Sequence, residues 1–123
     1  MNFSPKLDDL PAVDWNLCLS LTGNNPEVAK ELLALLKATL PSTYQQIKAS
    51  YEHAQFTQLC DHLHGLYGAT CYCGVPALKA ITKHFEDLAK AKTPIDQEDM
   101  KLVFMHFTHE VERVIEVIGD EYE

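Results

Sequence analysis

The chain has 123 residues, 46% of them hydrophobic, and its 10 lysines and arginines face 18 acidic residues for a net charge of -8. That length suits one domain with a substantial core and not two. The negative charge argues against nucleic acid or an anionic membrane as the main partner, while it permits a partner with a basic rim.

In chain order, residues 1–12 form a polar lead-in bearing Pro5 and Pro11, read as a linker or flexible tail. Asp14 can cap a short helix carrying Trp15, Leu17, Leu19 and Leu21, which Gly23 ends. Asn25 followed by Pro26 is a cap and a first-turn proline. From there Val28, Leu32, Leu35, Leu36, Thr39, Leu40, Tyr44 and Ile47 recur at helical spacing. Pro41 falls inside this second helix and should kink it without ending it, because the pattern resumes. A third helix is predicted over 56–72, with Gly74 as its stop and Pro76 helping to start the next. The fourth has an apolar stripe of Leu78, Ile81, Phe85 and Leu88, with Lys79, Lys83, Glu86 and Asp87 placed off it. The fifth begins near Pro94-Ile95-Asp96 and carries Met100, Val103, Phe104, Phe107, Val111, Val114, Ile115 and Ile118. No segment alternates with period two. The expected fold is all-α: an antiparallel up-down four-helix bundle over 13–120, with a short N-terminal capping helix.

No apolar run approaches the ~20 residues of a membrane span. The N-terminal MNFSPKLDDLP lacks the apolar stretch of a signal peptide. The default location is the cytoplasm, where Cys18, Cys60, Cys71 and Cys73 read as reduced thiols.

The stretch LHGLYGATCYCGVP is unusual because Gly65 and Gly68 sit inside a helical pattern beside His64. Each glycine costs a helix about 1 kcal/mol relative to alanine. On the helical wheel Leu59, Leu63, Leu66, Thr70 and Cys73 form the core stripe, and His64 lies about 140° from Leu59, facing solvent. Its outer-face neighbours are Cys60, Asp61, Gly68 and Cys71, with Tyr67 at the edge. The glycines are then affordable if a partner's active site must close over His64. The other histidines, His53, His84, His106 and His109, read as polar surface residues. His62 lies nearer the core stripe and has no glycine one turn on.

At these residues the sequence resembles the histidine-containing phosphotransfer (HPt) domains of bacterial phosphorelays: a histidine, a glycine four residues on, another ten on, then an apolar helix. His64, Gly68 and Gly74 hold those places, followed by Ala77-Leu78-Lys79 and Phe85-Glu86. Asp14-Trp15, Leu40-Pro41 and Tyr72-Cys73-Gly74-Val75-Pro76 are similar to the C-terminal module of BarA/GacS-type hybrid sensor kinases. The resemblance spans about residues 13–120. It implies that His64 accepts a phosphoryl group from a receiver-domain aspartate and passes it to a response-regulator aspartate. It implies a phosphocarrier that is not itself an enzyme, either free-standing or the cytoplasmic end of a membrane-anchored kinase; the isolated domain is expected to be a monomer. Mg²⁺ is then held by the partner receiver, with no cofactor or metal in this domain. The chain has no phosphate-binding glycine loop or kinase nucleotide motif, so ATP should not label it directly. Cys60, Asp61, Tyr67, Gly68 and Cys71 are the expected contact residues, joined by unnamed residues of the second helix, in a transient interface below about 1,200 Å².

Two positions depart from the pattern. Where many members carry lysine or histidine three residues after the phosphoacceptor, this chain has Tyr67, which brings no positive charge; seven residues on, the usual glycine is Cys71. These motivate a second reading, a docking module that binds receivers without carrying phosphate. A metal or redox site at Cys60, His64 and Cys71 lacks an evident fourth ligand. A Cys60–His64 hydrolase lacks a group to orient the base.

Overall fold

The structure is a computed structural model that describes residues 10–91 and 97–122. Within them lie five helices and no strand: α1 (Trp15–Leu21), α2 (Pro26–Glu52), α3 (Phe56–Thr70), α4 (Pro76–Lys90) and α5 (Gln97–Glu121). The expected all-α fold is present. Much of the expected lead-in, up to residue 9, lies outside the described residues, as does the expected start of the fifth helix at Pro94-Ile95-Asp96.

The local signals act as their chemistry requires. The Asp14 carboxylate accepts a hydrogen bond from the Leu17 amide at 3.1 Å, and the Asn25 side chain accepts one from Val28 at 3.2 Å. α2 continues through Pro41, whose ring is exposed, so the missing amide hydrogen bond does not end the helix. α3 stops at Thr70, slightly earlier than the pattern predicts, and residues 71–74 make a turn.

α3 packs between α2 and α4, and α5 packs between the same two helices, so α3 and α5 occupy one diagonal of the bundle. Leu33, Leu40 and Ile47 of α2, Leu59 and Leu63 of α3, Leu78, Ile81 and Phe85 of α4, and Val103, Phe107, Val114 and Ile118 of α5 are fully buried. Burying each such side chain contributes roughly 1.5–3 kcal/mol. The ring of Phe85 meets those of Tyr51, Phe104 and Phe107 edge-on, fixing α4 against α2 and α5. Two apolar residues of the α2 pattern are not core: Val28 is 39% and Leu35 60% exposed. They lie beside the buried stripe, and Leu35 lines a surface groove against α3.

α1 closes one end. The Asp14 amide donates to the Gly74 carbonyl at 3.0 Å, and the Cys18 thiol donates to the Cys73 carbonyl at 3.1 Å. Trp15 stacks on Tyr122 with ring centroids 5.3 Å apart. The entering chain is held by Arg113, whose guanidinium donates to the Leu10 carbonyl at 2.9 Å and to both oxygens of buried Glu110.

Gly23 and Gly74 share a φ of +64° but differ in their surroundings. A Cβ on Gly23 would meet nothing within 4 Å, whereas one on Gly74 would lie 2.5 Å from the Cys18 sulfur and 2.8 Å from the Cys18 backbone nitrogen. Gly23→Ala is therefore expected to cost only the left-handed backbone term, about 1–2 kcal/mol. Gly74→Ala should cost clearly more, because α1 must move away from the α3–α4 turn. Urea denaturation of the two variants measures the difference, and equal losses would contradict the packing argument.

Candidate functional site

α3 carries its apolar residues inward at Leu59, Leu63, Leu66 and Thr70, all buried. That orientation forces His64 out, and its side chain is 73% exposed. The imidazole does not stand alone. Its Nδ1 lies 2.9 Å from Oε2 of Glu86 on α4, and the Glu86 side chain is fully buried. Lys90, one turn further along α4, places Nζ 2.7 Å from the same oxygen. A carboxylate facing Nδ1 selects the tautomer that carries its proton there, which leaves the Nε2 lone pair directed away from Glu86.

Burial pushes the Glu86 carboxyl up, but hydrogen bonds from Lys90 and His64 outweigh it and hold the group below its ordinary range. Its other oxygen, Oε1, is buried with no partner among the described residues. A half-satisfied buried carboxylate is costly, which is the kind of local expense usually found at functional positions.

The helical pattern puts Glu86 among the polar residues off the α4 stripe; the structure buries it. It sits beside Phe85 on the edge of that stripe, where His64 of α3 meets it. Lys90, four residues on, is the sequence signal that could have marked it. The resemblance places Phe85-Glu86 in the pattern after His64, but the pairing of Glu86 and Lys90 with the imidazole comes only from packing α3 against α4.

The five expected contact residues divide around His64. Cys60, Tyr67 and Cys71 lie toward α4; Asp61 lies toward α2, in a groove shared with Leu36, Thr39, Thr43, Gln46 and Gly65; Gly68 lies on the exposed face between them. Tyr67 is half-buried beneath two lysines of α4: Nζ of Lys79 is 5.9 Å and Nζ of Lys83 5.5 Å from its ring centroid. Burial pushes the Cys60 thiol up despite the opposing Lys90 ammonium, the opposite of the lowered thiol that a Cys–His hydrolase needs. Cys18 and Cys73 are pushed up to about 11 by burial, as small core thiols. Among the described residues no group of three or more His, Cys, Asp and Glu is placed to hold a metal ion, and no helix is long and apolar enough to cross a membrane.

Gly65 and Gly68 are exposed, and a Cβ on either would meet nothing within 4 Å. No atom of the described residues requires glycine at these positions. What they leave is a strip of bare helix beside the imidazole.

A family model described as Hpt domain matches residues 31–117. The chain is 36% identical over 93 residues to the sensor histidine kinase GacS of Pseudomonas protegens, covering 76% of this chain and 10% of that protein. It is 32% identical over 80 residues to the sensor protein GacS of Pseudomonas syringae pv. syringae, covering 65% and 9%. With the signal transduction histidine-protein kinase BarA of Escherichia coli (strain K12) it shares 24% identity over 102 residues, covering 83% and 11%. The chain thus spans 9–11% of the length of these relatives. The crystal structure of the HPT domain of a sensor hybrid histidine kinase from Shewanella superposes with a TM-score of 0.72 at 25% identity, covering 91% of this chain and 97% of that one.

Two measurements test the site. Gly68→Ala should raise the stability of the isolated protein by about 0.5–1 kcal/mol, since it removes backbone entropy and meets no neighbour; a destabilised variant would show that something in the fold needs the gap. Glu86, held below its ordinary range, contributes stability that is present above the unfolded carboxyl range and lost as pH falls through the lowered folded value. Denaturation midpoints should therefore drop below about pH 4, and Glu86→Gln should remove part of that drop; an unchanged profile would mean the contact contributes nothing.

Proposed function

The chain belongs to the Hpt domain family, and on that premise we propose that it is a histidine phosphotransfer protein of a two-component phosphorelay with His64 as the phosphoacceptor. The observation that carries the proposal is the exposed imidazole held by buried Glu86 at 2.9 Å.

The chemistry follows from that contact. The Nε2 lone pair attacks the phosphorus of an aspartyl phosphate on a partner receiver. The N–P bond forms as the P–O bond to the acyl oxygen breaks, and the aspartate leaves as carboxylate. Nδ1 keeps its proton, hydrogen-bonded to Glu86, and the carboxylate offsets the positive charge that develops on the ring. Transfer onward is the reverse chemistry on a second receiver, a response regulator. Lys90 keeps Glu86 ionised through both steps. Mg²⁺ belongs to the receiver's side of this reaction, and the domain needs no cofactor of its own. As a carrier without a nucleotide site, it does not phosphorylate itself.

The bare strip at Gly65 and Gly68 is where the partner's active site closes. Contacts from α2 are expected on the groove side, where Leu35 and Thr39 face outward close to Ala69 and Tyr72. The alternative of a docking module without phosphate was raised by Tyr67 and Cys71. The Glu86 contact weighs against it, because docking alone gives no reason to bury a carboxylate against an exposed histidine.

The test is incubation with receiver domains charged by a small acyl phosphate. Acid-labile label should appear on the wild-type protein and be absent from His64→Gln. Glu86→Ala should slow transfer by roughly ten- to a hundredfold, on the scale of losing the carboxylate that orients a metal-bound histidine. Label that persists in His64→Gln would refute the assignment of His64; binding to receivers without any label would favour the docking module.

A further inference from the structure

The chain carries nine lysines and one arginine against 18 acidic residues, so an anionic phosphodonor surface meets overall repulsion. The flank of His64 toward α4 is a local exception. Lys83 and Lys90 stand one turn either side of Glu86, the residue bonded to His64. Lys79 stands one turn before Lys83, and both lie over the Tyr67 ring. Lys83 also pairs with Asp87 at 3.2 Å, an exposed contact worth little in water.

Below this lysine row lies a groove of about 380 Å³ between α1, α3 and α4. Leu17, Leu21, Val75 and Ala80 supply its apolar lining, and Tyr67 and Cys71 its α3 wall. Leu21 is 41% exposed. An apolar trough with a cationic rim fits an acidic protein surface that also presents an apolar side chain. It is continuous with the phosphoacceptor, because Tyr67 is the helix neighbour of His64.

We infer that this groove receives the acidic rim around the partner receiver's aspartyl phosphate, with Lys79 and Lys83 supplying from α4 the positive charge that Tyr67 does not bring to α3. The inference rests on the phosphotransfer reading and adds to it the side on which the anionic surface settles and the charges that draw it in. The ammonium groups of Lys79 and Lys83 stand 5.9 and 5.5 Å from the Tyr67 ring centroid, a cation–π distance, over the residue one turn from His64.

The experiment measures the second-order rate of transfer from an acyl-phosphate-charged receiver domain as a function of salt. Lys79→Glu/Lys83→Glu is compared with Lys48→Glu/Lys101→Glu, which changes the net charge equally at the other end of the bundle. The first pair should slow transfer about tenfold at low salt and flatten its salt dependence, and the second should change the rate less than about twofold. The neutral Lys79→Gln/Lys83→Gln variant should fall between wild type and the charge reversal, which guards against a folding defect. A small phosphoramidate, which needs no docking surface, should label His64 equally in all variants. An equal loss in both Glu pairs, or none in the first, overturns the inference while leaving the phosphotransfer reading intact. Failure of wild-type His64 to take label from either donor overturns that reading, and the inference with it.

Discussion

The hydrogen bond between His64 Nδ1 and Glu86 Oε2 is the contact from which the behaviour of the surface follows. It crosses from α3 to α4, and each helix prepares one side of it. α3 commits Leu59, Leu63 and Leu66 to the core and so expels His64. α4 keeps its stripe of Leu78, Ile81 and Phe85 against the core and leaves Glu86 at the edge, beneath α3. An ordinary exposed histidine samples both tautomers and several rotamers. Held by a buried carboxylate, the ring has one proton position and one outward nitrogen.

The glycines and the lysines around that contact answer different needs. Gly65 and Gly68 take bulk away where nothing inside the fold asks for it, at a cost to the helix. Lys79, Lys83 and Lys90 add charge on the neighbouring helix, along the flank of His64 that faces α4. Steric clearance is therefore built into α3 and electrostatic attraction into α4. Tyr67 ties the two together, because its ring gives the lysine stems a surface to rest on.

Much of this was legible from residue order. The helices, the Asp14 and Asn25 caps, the Gly74 turn and the outward direction of His64 all follow from local chemistry and a 3.6-residue period. Periodicity was less informative wherever a residue's meaning depends on another helix. Glu86 reads as surface until α3 is laid across it. Leu35 reads as core, yet points into an open groove with Tyr72. Tyr67 reads as a missing charge until Lys79 and Lys83 are seen above it. In each case the sequence specifies the face correctly to within a fraction of a turn, and a fraction of a turn separates core from rim.

The stack of Trp15 on Tyr122, with Arg113 holding Leu10, brings both ends of the described bundle to the C-terminal half of α5. That helix is diagonal to α3. Both described ends of the chain therefore rest on the helix diagonal to the one that carries His64, and the exposed imidazole and the described termini occupy opposite corners of the bundle.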